Sequence, residues 1–389
     1  MIRRLEIWVA VLCIVMFVRT EARASETGQT EGGEESSFTV ELEEELIDSL
    51  ELEGVQNMID DMLGKNDFSF KEALKKLMTG KEVLSKEAAW ELLRGLFFSG
   101  YEREKGTFFR ILLLVLLAAV FSNFADIFEN GQIGTVSFYA VYLLLFMMLM
   151  ENFSVLGSSL SENLFRLSKF MEVLAPAYFM TVAAAGGACT AAVFYEGVLL
   201  LVWMIQWVLL TILLPGTNLY ILLKLVNHLS REEMLSKMAE LLETAINWGL
   251  KTLIGFALGL QVVKNLIAPV MDSLKRSALG KTAGAIPGIG NAVNTVTELI
   301  LTSAVLVRNS FGVAVLIVLI LIGIHPLVHL GMLSLSYRFL AALAQPVSDK
   351  RIVGALSTFG EGCAILLRIL ITAEALCMLT FLVLMAGTG

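Results

Sequence analysis

Charged residues are scarce in this chain. They make up 17% of its 389 residues, and hydrophobic residues make up 56%. In soluble proteins, about a quarter of all residues are charged. The apolar residues recur in separate runs of about 20, the length of helix that crosses a hydrocarbon core; one such run begins at Phe311. This composition predicts a polytopic membrane protein and excludes most classes of soluble enzyme.

Cysteine and histidine are also scarce, with four and three residues. Cys13 lies in the N-terminal segment and the other cysteines lie in apolar segments, so we predict no disulfide framework and no thiolate metal site. His325 and His329 share a helix face, but no carboxylate lies near them in sequence to complete a metal site. The chain has no phosphate-binding loop and no dinucleotide fingerprint. We therefore predict that it is not an enzyme and binds no metal or cofactor.

The N-terminus has the pattern of an export signal. Arg3 and Arg4 precede a mostly apolar run over 5–18, and Ala22-Arg23-Ala24 matches the A-x-A cleavage pattern. We predict a signal peptide over 1–24. The alternative interpretation is an uncleaved first membrane helix.

Residues 25–107 form an acidic region, with 20 acidic and 9 basic residues. Such a balance argues against a nucleic-acid partner, because phosphate binding needs a basic surface. We predict disorder over 25–37, since that segment has almost nothing to bury, followed by short amphipathic helices. Ser69 is the predicted N-cap of a helix over 70–78. The export signal places this whole region outside the cytoplasm.

Residues 108–389 are predicted to be an all-α membrane domain with about seven spans. The fourth span ends at 214 or continues past Pro215 to 226, and residues 294–307 are predicted to form an interfacial or re-entrant helix. The predicted spans cover 108–124, 136–156, 171–192, 197–214, 248–270, 311–333 and 363–386.

Proline and glycine interrupt these apolar segments. Proline in a spanning helix frees backbone groups that protein or water must satisfy, and broken helices surround central sites in transporters. The alternative is that the kinks only adjust packing. The candidate hinge or broken-helix positions are Pro176, Gly186, Gly187, Pro215, Pro287, Gly288, Gly290 and Pro326.

Several charged residues lie within or beside the apolar spans. A charge at the membrane centre costs about 2.5–3.5 kcal/mol on insertion scales, so it usually faces protein or water. We interpret these residues as a candidate polar path or as subunit contacts; the alternative is that they snorkel from helix ends. The candidates are Glu196, Glu298, Glu361, Arg368 and Glu374.

The charges do not settle the membrane orientation. An export signal would place the loop containing Asp126 and Glu129 in the cytoplasm and the loop containing Arg166 and Lys169 outside. Cytoplasmic loops usually carry the excess of Lys and Arg, which favours the reverse arrangement. In favour of the first arrangement, Lys275, Arg276 and Lys281 would face the cytoplasm, and we predict that the N-terminal region is exported.

Five segments occur in a characteristic order after the signal. They are FSFKEALKKLMTGK, FYAVYLLLFMMLMENF, LAPAYFMTVAAAGG, TELILTSAVLVRNSFGVAVLIVLILIGIHPL and LAALAQPVSDKRIVGALSTFGEGCAILLRIL. In this succession the chain resembles the stage III sporulation protein AE family of endospore-forming bacteria, and the resemblance covers most of the chain after the signal.

The resemblance implies a permease-like membrane core of a channel or secretion-like complex needed for sporulation after engulfment. It implies a multi-pass protein in the mother-cell membrane that surrounds the forespore. The implied partners are the other proteins of the stage III sporulation A operon, including an ATPase and ring-forming membrane proteins, and stage II sporulation protein Q. No catalytic residue is implied. The alternatives are a self-sufficient secondary transporter of a small solute and a non-conducting membrane scaffold.

Overall fold

A computed structural model describes a large part of the chain. The predicted signal peptide and the leader over 25–37 lie outside the described residues, as do residues 114, 118–119 and 121–124 of the predicted first span. The described residues are 45–48, 50, 52–63, 68–80, 83, 94–95, 105–113, 115–117, 120, 131–186, 188–229, 234–283 and 290–386. The backbone alone is described for 131–135, 137, 185–186, 188–195, 198, 260–283, 290–299 and 383–386.

The described part of the chain is helical and contains no strand, which confirms the predicted all-α class. A π-helical turn, Leu209–Leu213, joins two of the helices. The helices are α1 (Glu53–Leu63), α2 (Phe70–Met78), α3 (Gly131–Gly186), α4 (Ala188–Val208), α5 (Leu214–Leu229), α6 (Ser236–Ala283), α7 (Gly290–Ala344) and α8 (Lys350–Ala386).

Four helical segments among the described residues are long and apolar enough to cross a membrane, compared with the seven spans predicted. They lie in α3, in the α4–α5 pair, in α7 and in α8. The predicted fifth span falls in α6, where only the backbone is described beyond 259. The four segments are Phe138–Ala184, Leu199–Leu229, Ile300–Ala344 and Lys350–Leu382.

The predicted second span and residues 171–186 of the predicted third span are parts of α3, a single helix of 56 residues; residues 188–192 of the third span belong to α4. The prediction of a loop between these two spans is wrong, because residues 157–170 are helical. Leu160, Leu164 and Leu167 recur at helical spacing and are buried, while Glu162 and Arg166 pair on the outer face at 2.6 Å. This amphipathic pattern continues the helix through the polar segment. At about 84 Å, α3 is longer than a hydrocarbon core of about 30 Å, so part of it lies outside that layer.

Pro215 does not end the fourth span, so the alternative in which that span continues is the one observed. Proline has no N–H to donate and would clash with the preceding turn of an α-helix. The chain widens just before it: the Leu214 N–H bonds to the Leu209 carbonyl, five residues back. Pi-helical turns of this kind mark helix kinks.

The other candidate hinge positions lie within helices or outside the described residues. Pro176 and Pro326 lie inside α3 and α7, which continue through them. Gly186 is the last residue of α3, and Gly290 is the first residue of α7. The predicted interfacial or re-entrant segment, 294–307, is the beginning of α7. Gly187, Pro287 and Gly288 lie outside the described residues.

Helix α8 is the most enclosed of the apolar helices: 61% of an 18-residue apolar stretch in it is buried, compared with 28% of the corresponding stretch in α3. It runs antiparallel to α7, and glycine permits the close approach. A Cβ at Gly360 would lie 3.1 Å from the Ser334 carbonyl oxygen of α7, and the Ser334 hydroxyl donates to the Gly360 carbonyl at 2.8 Å. Two residues further on, a Cβ at Gly362 would lie 2.7 Å from Cε2 of Phe153 in α3. Neighbouring helices therefore enclose α8 on more than one side.

Helices α1 and α2 pack their apolar faces onto the membrane helices. The predicted helix over 70–78 is confirmed, and the Ser69 hydroxyl accepts from the Glu72 N–H at 3.3 Å. Phe70 is fully buried, and its ring meets Phe311 of α7 edge to face, with centroids 5.2 Å apart. On the exposed side, Lys71 pairs with Asp48 at 2.6 Å and lowers the pKa of that carboxyl. The part of the acidic region that the structure describes is thus attached to the apolar bundle.

Phe70→Ala should release α2 from α7, because removal of a buried aromatic ring costs about 3–5 kcal/mol. Limited proteolysis of the purified protein with an enzyme of broad specificity should show faster cleavage within 64–80. Lys76→Ala, at an exposed position of the same helix, is the matched control. Equal cleavage rates in the two variants would contradict the packing of Phe70.

Gly362→Ala should destabilise the bundle, since Phe153 and Ile221, which lie against Gly362, are themselves buried and have little room to move. Overpacking a core costs about 1–3 kcal/mol. Gly255→Ala is the control: nothing lies within 4 Å of a Cβ at that position, and alanine favours a helix over glycine by about 1 kcal/mol. Thermal unfolding in detergent should show the two variants shifting in opposite directions.

Candidate functional site

A polar cavity of about 280 Å³ lies between α5, α6 and α8. It lies near the C-terminal end of the α4–α5 apolar segment and in the first third of α8. Every lining residue except one glycine has a polar side chain. The lining residues are Lys224, Asn227, His228, Ser236, Glu240, Glu243, Gly354, Ser357, Thr358 and Glu361.

Each of the three helices contributes these residues at helical spacing. Residues four and seven positions apart lie on one face of a helix. Helix α6 presents Ser236, Glu240 and Glu243 in this way. Helix α5 presents Lys224 and His228, and α8 presents residues 354, 358 and 361. Three polar stripes thus meet in a bundle that is otherwise apolar.

An ion pair between α5 and α8 forms the centre of the site. The Lys224 ammonium lies 2.7 Å from Oε2 of Glu361, with the two side chains 30% and 39% exposed. The Tyr220 hydroxyl lies 3.3 Å from carboxylate oxygens of both Glu361 and Glu243 and can donate to either. Lys224 also lies 5.2 Å from the centre of the Tyr220 ring, within the range of a cation–π contact. These contacts tie α5, α6 and α8 together.

His228 forms the second link between α5 and α8. Its Nε2 lies 3.0 Å from the Thr358 hydroxyl. Gly354 lies beside the ring, where a Cβ would come within 2.7 Å of Cε1 of His228. A side chain at 354 would therefore displace the imidazole from Thr358.

Asn227 links the end of α5 to the residue that precedes α6. Its side-chain oxygen accepts from the Leu235 N–H at 2.9 Å, just before α6 begins. From the opposite direction, the Tyr142 hydroxyl of α3 donates to the Leu225 carbonyl at 2.7 Å. The end of α5 is therefore held from both α6 and α3.

Negative charge dominates the lining. Three carboxylates face a single ammonium and an imidazole. At the rim, Glu240 pairs with Lys237 at 2.8 Å, and this hydrogen bond lowers the pKa of Glu240 and raises that of Lys237. No group of three or more metal-binding side chains occurs in the part of the chain that the structure describes. The arrangement suits a cationic or hydrogen-bonding solute, or water.

The predicted polar-path residues do not form one continuous line. Glu361 belongs to the cavity. Arg368, two turns further along the same face of α8, donates to the Asn247 side chain of α6 at 2.9 Å. Glu374 lies on another face of α8 and is buried against α7. Glu196 is exposed on α4. Glu298 lies in α7, and its side chain is outside the described residues.

Sequence reasoning identified Glu361 and missed its partners Lys224 and Tyr220, together with His228. The usable signal was the spacing of Tyr220, Lys224 and His228, which recur every four residues in an apolar segment. A polar stripe of this kind in a spanning helix predicts a face turned toward protein or water.

Comparison with known proteins places this bundle in a family. Residues 68–388 match the family described as stage III sporulation protein AE. The chain belongs to that family. It is also similar to the stage III sporulation protein AE of Bacillus subtilis (strain 168), with 22% identity over 360 residues that cover 91% of this chain and 90% of the relative. No solved structure matches.

Membership of the stage III sporulation protein AE family confirms the resemblance drawn from the sequence and gives the chain a role in sporulation. The match includes α2 as well as the apolar helices, because it begins at residue 68. The cavity between α5, α6 and α8 lies wholly within the family region.

Lys224→Met should lower the free energy of unfolding by about 1–2 kcal/mol. This loss lies between those expected when one partner is removed from an exposed ion pair and from a buried one. Pairing it with Glu361→Gln should recover part of that loss, because the second change removes the carboxylate left alone. Thermal unfolding in detergent measures both. Arg166→Met breaks the exposed pair on α3 and should cost about 0.3–0.5 kcal/mol. A loss for Lys224→Met as small as that for Arg166→Met would contradict a structural ion pair.

Proposed function

We propose that this protein is the membrane core subunit of a channel-like complex between the mother cell and the forespore, required for sporulation after engulfment. It is not an enzyme in this proposal, and energy for any transport comes from a partner. The proposed partners are the other proteins of the stage III sporulation A operon, including the ATPase and the ring-forming proteins, and stage II sporulation protein Q.

The observation that carries this proposal is the polar cavity inside the region that defines the family. An apolar bundle that served only as an anchor would have no use for three converging polar stripes, because each buried polar group costs free energy unless it is paired. Such stripes are expected where a helix face lines water or a passing solute. The family's place in sporulation and the four apolar helices support the remaining parts of the proposal.

In this proposal the protein is a multi-pass component of the mother-cell membrane around the forespore. The acidic region faces the space between the two membranes, where the partners would meet it. Helices α1 and α2 bury their apolar faces against α3 and α7, which leaves the acidic face of α1 and the lysine-rich face of α2 for those partners. Docking onto this region is therefore expected to depend on charge more than on apolar contact.

A second candidate is a self-sufficient secondary transporter of a small solute. The π-helical turn before Pro215 lies in the same apolar segment as Lys224 and His228, and it favours this candidate because interrupted helices are typical of such transporters. This candidate needs no partner ATPase and no forespore protein.

Deletion of the gene in the source organism should block sporulation after engulfment and leave vegetative growth normal, as scored by microscopy. Normal spores, or a growth defect that depends on nutrients, would favour the general transporter instead. Complementation then tests the cavity. The double variant Lys224→Met/Glu361→Gln removes both charges and should fail to restore sporulation although the protein accumulates on immunoblots.

The matched control is Arg166→Met/Glu162→Gln, which removes an exposed ion pair of α3 and should restore sporulation. Full sporulation with the cavity variant as well would contradict a solute path and favour the non-conducting scaffold. Loss of the cavity variant from the immunoblot would show that the ion pair is needed for folding. Lys224→Arg, which keeps the positive charge, would then test whether that charge alone restores protein accumulation and sporulation.

A further inference from the structure

The buried carboxyl group of Glu374 is not used by the proposed cavity. Glu374 lies in α8, six residues after Arg368, and six residues turn a helix by about 240° relative to the starting side chain. It therefore points away from α5 and α6 and toward α7. Only 6% of its surface is exposed.

Gly323 of α7 makes room for this carboxyl group. A Cβ added to Gly323 would overlap both oxygens and the carboxyl carbon of Glu374. The carboxyl group thus occupies the space that a side chain at 323 would fill. Because any larger residue at 323 would exclude Glu374, the two positions form a fitted pair across the α7–α8 contact.

The surroundings of this carboxyl group are apolar. On α8 it is flanked by Leu370 and Ala373, each 2% exposed, and Leu319 lies one turn before Gly323 on α7 and is fully buried. The Cys377 thiol is the titratable group that faces it. His325 of α7 is exposed, and none of the charged side chains that the structure describes acts on Glu374.

An ionised carboxylate at this position would be expensive. Burial of an unpaired ion in a protein interior costs several kcal/mol even after relaxation, and the usual outcome is that the group takes up a proton. A metal cation would need about six oxygen ligands. Among the described residues, no cluster of three or more side chains could hold a metal ion. The species that fits the space is the neutral acid.

We propose that Glu374 and Gly323 form a proton-binding site in the α7–α8 contact, where the carboxyl group holds a proton while the two helices are packed together. The proton leaves only when α7 and α8 separate enough to admit water. This inference depends on the packing of two helices and stands whether or not the protein is part of a channel.

Infrared spectroscopy of the purified protein in lipid nanodiscs tests the proposal. At about pH 7, nearly three units above the usual carboxyl pKa of about 4.3, the wild-type spectrum should retain the C=O stretch of a protonated carboxylic acid. Glu374→Gln should lose that band. Glu361→Gln is the matched control and should lose carboxylate absorption instead, because Glu361 is paired with Lys224.

A wild-type spectrum at that pH with no acid band, or an acid band that survives in Glu374→Gln, would overturn the proposal. If Glu374→Gln does not accumulate, mapping of dicyclohexylcarbodiimide adducts on the wild-type protein decides the matter. The O–H of a protonated carboxyl group in an apolar site adds across a C=N bond of this reagent, and an acyl shift to nitrogen then leaves a stable N-acylurea with no leaving group.

Peptide mass spectrometry should find that adduct on Glu374 and not on Glu361. Gly323→Ala displaces the carboxyl group from its space and should change the rate of adduct formation at Glu374 severalfold, whereas Gly259→Ala, which meets nothing within 4 Å, should not. Labelling of Glu361 in preference to Glu374 would overturn the assignment.

Discussion

The close packing of α8 against its neighbours is the constraint on which the rest of the bundle depends. Van der Waals packing and small residues stabilise helix contacts in a membrane, where the hydrophobic effect between helices is weak. Glycine lets α7 approach at residue 360 and lets α3 and α5 approach at residue 362. Aromatic rings then fill the contacts, with Tyr337 and Phe359 only 4.1 Å apart between centroids. With α8 enclosed, its side chains have defined partners on each side.

The enclosure of α8 separates its polar side chains into two chemically different settings. Toward α5 and α6, Glu361 and Arg368 find partners and stay partly open to solvent. Toward α7, Glu374 finds a glycine and apolar neighbours. A carboxylate with an ammonium partner can remain ionised, whereas one without a partner is stable only as the acid. The helical offset of thirteen residues between Glu361 and Glu374 is what puts them on different sides.

The features that depend on neighbouring residues in the chain could be predicted from the sequence. The helical class followed from composition, and the helix over 70–78 followed from the Ser69 cap and the spacing of its apolar residues. The prediction of a loop between the second and third spans was wrong, because the charged residues of that segment lie on the polar face of a helix and do not interrupt it. Leu160, Leu164 and Leu167 carry the helix through that segment, with the Glu162–Arg166 pair on the outer face. Charge alone cannot tell a loop from the polar face of an amphipathic helix.

The site was less predictable, because its partners are far apart in the chain. Lys224 and Glu361 are separated by 137 residues, and nothing local to either one indicates the other. Arg368 contacts Asn247 of α6, whereas the counterpart of Glu374 on α7 is Gly323, a residue with no side chain. A search of the sequence for an opposite charge would pass over it.

These two settings also bear on how the bundle could work. A partly open ion pair can exchange water or a solute without any helix moving, so the cavity suits a permanent polar lining. The Glu374 site is closed by α7, and a change in its protonation requires the contact to loosen. A protein that only anchors partners would need neither feature, and a passive pore would need only the first. Both features together are expected where a polar path is coupled to a helix contact that can open and close.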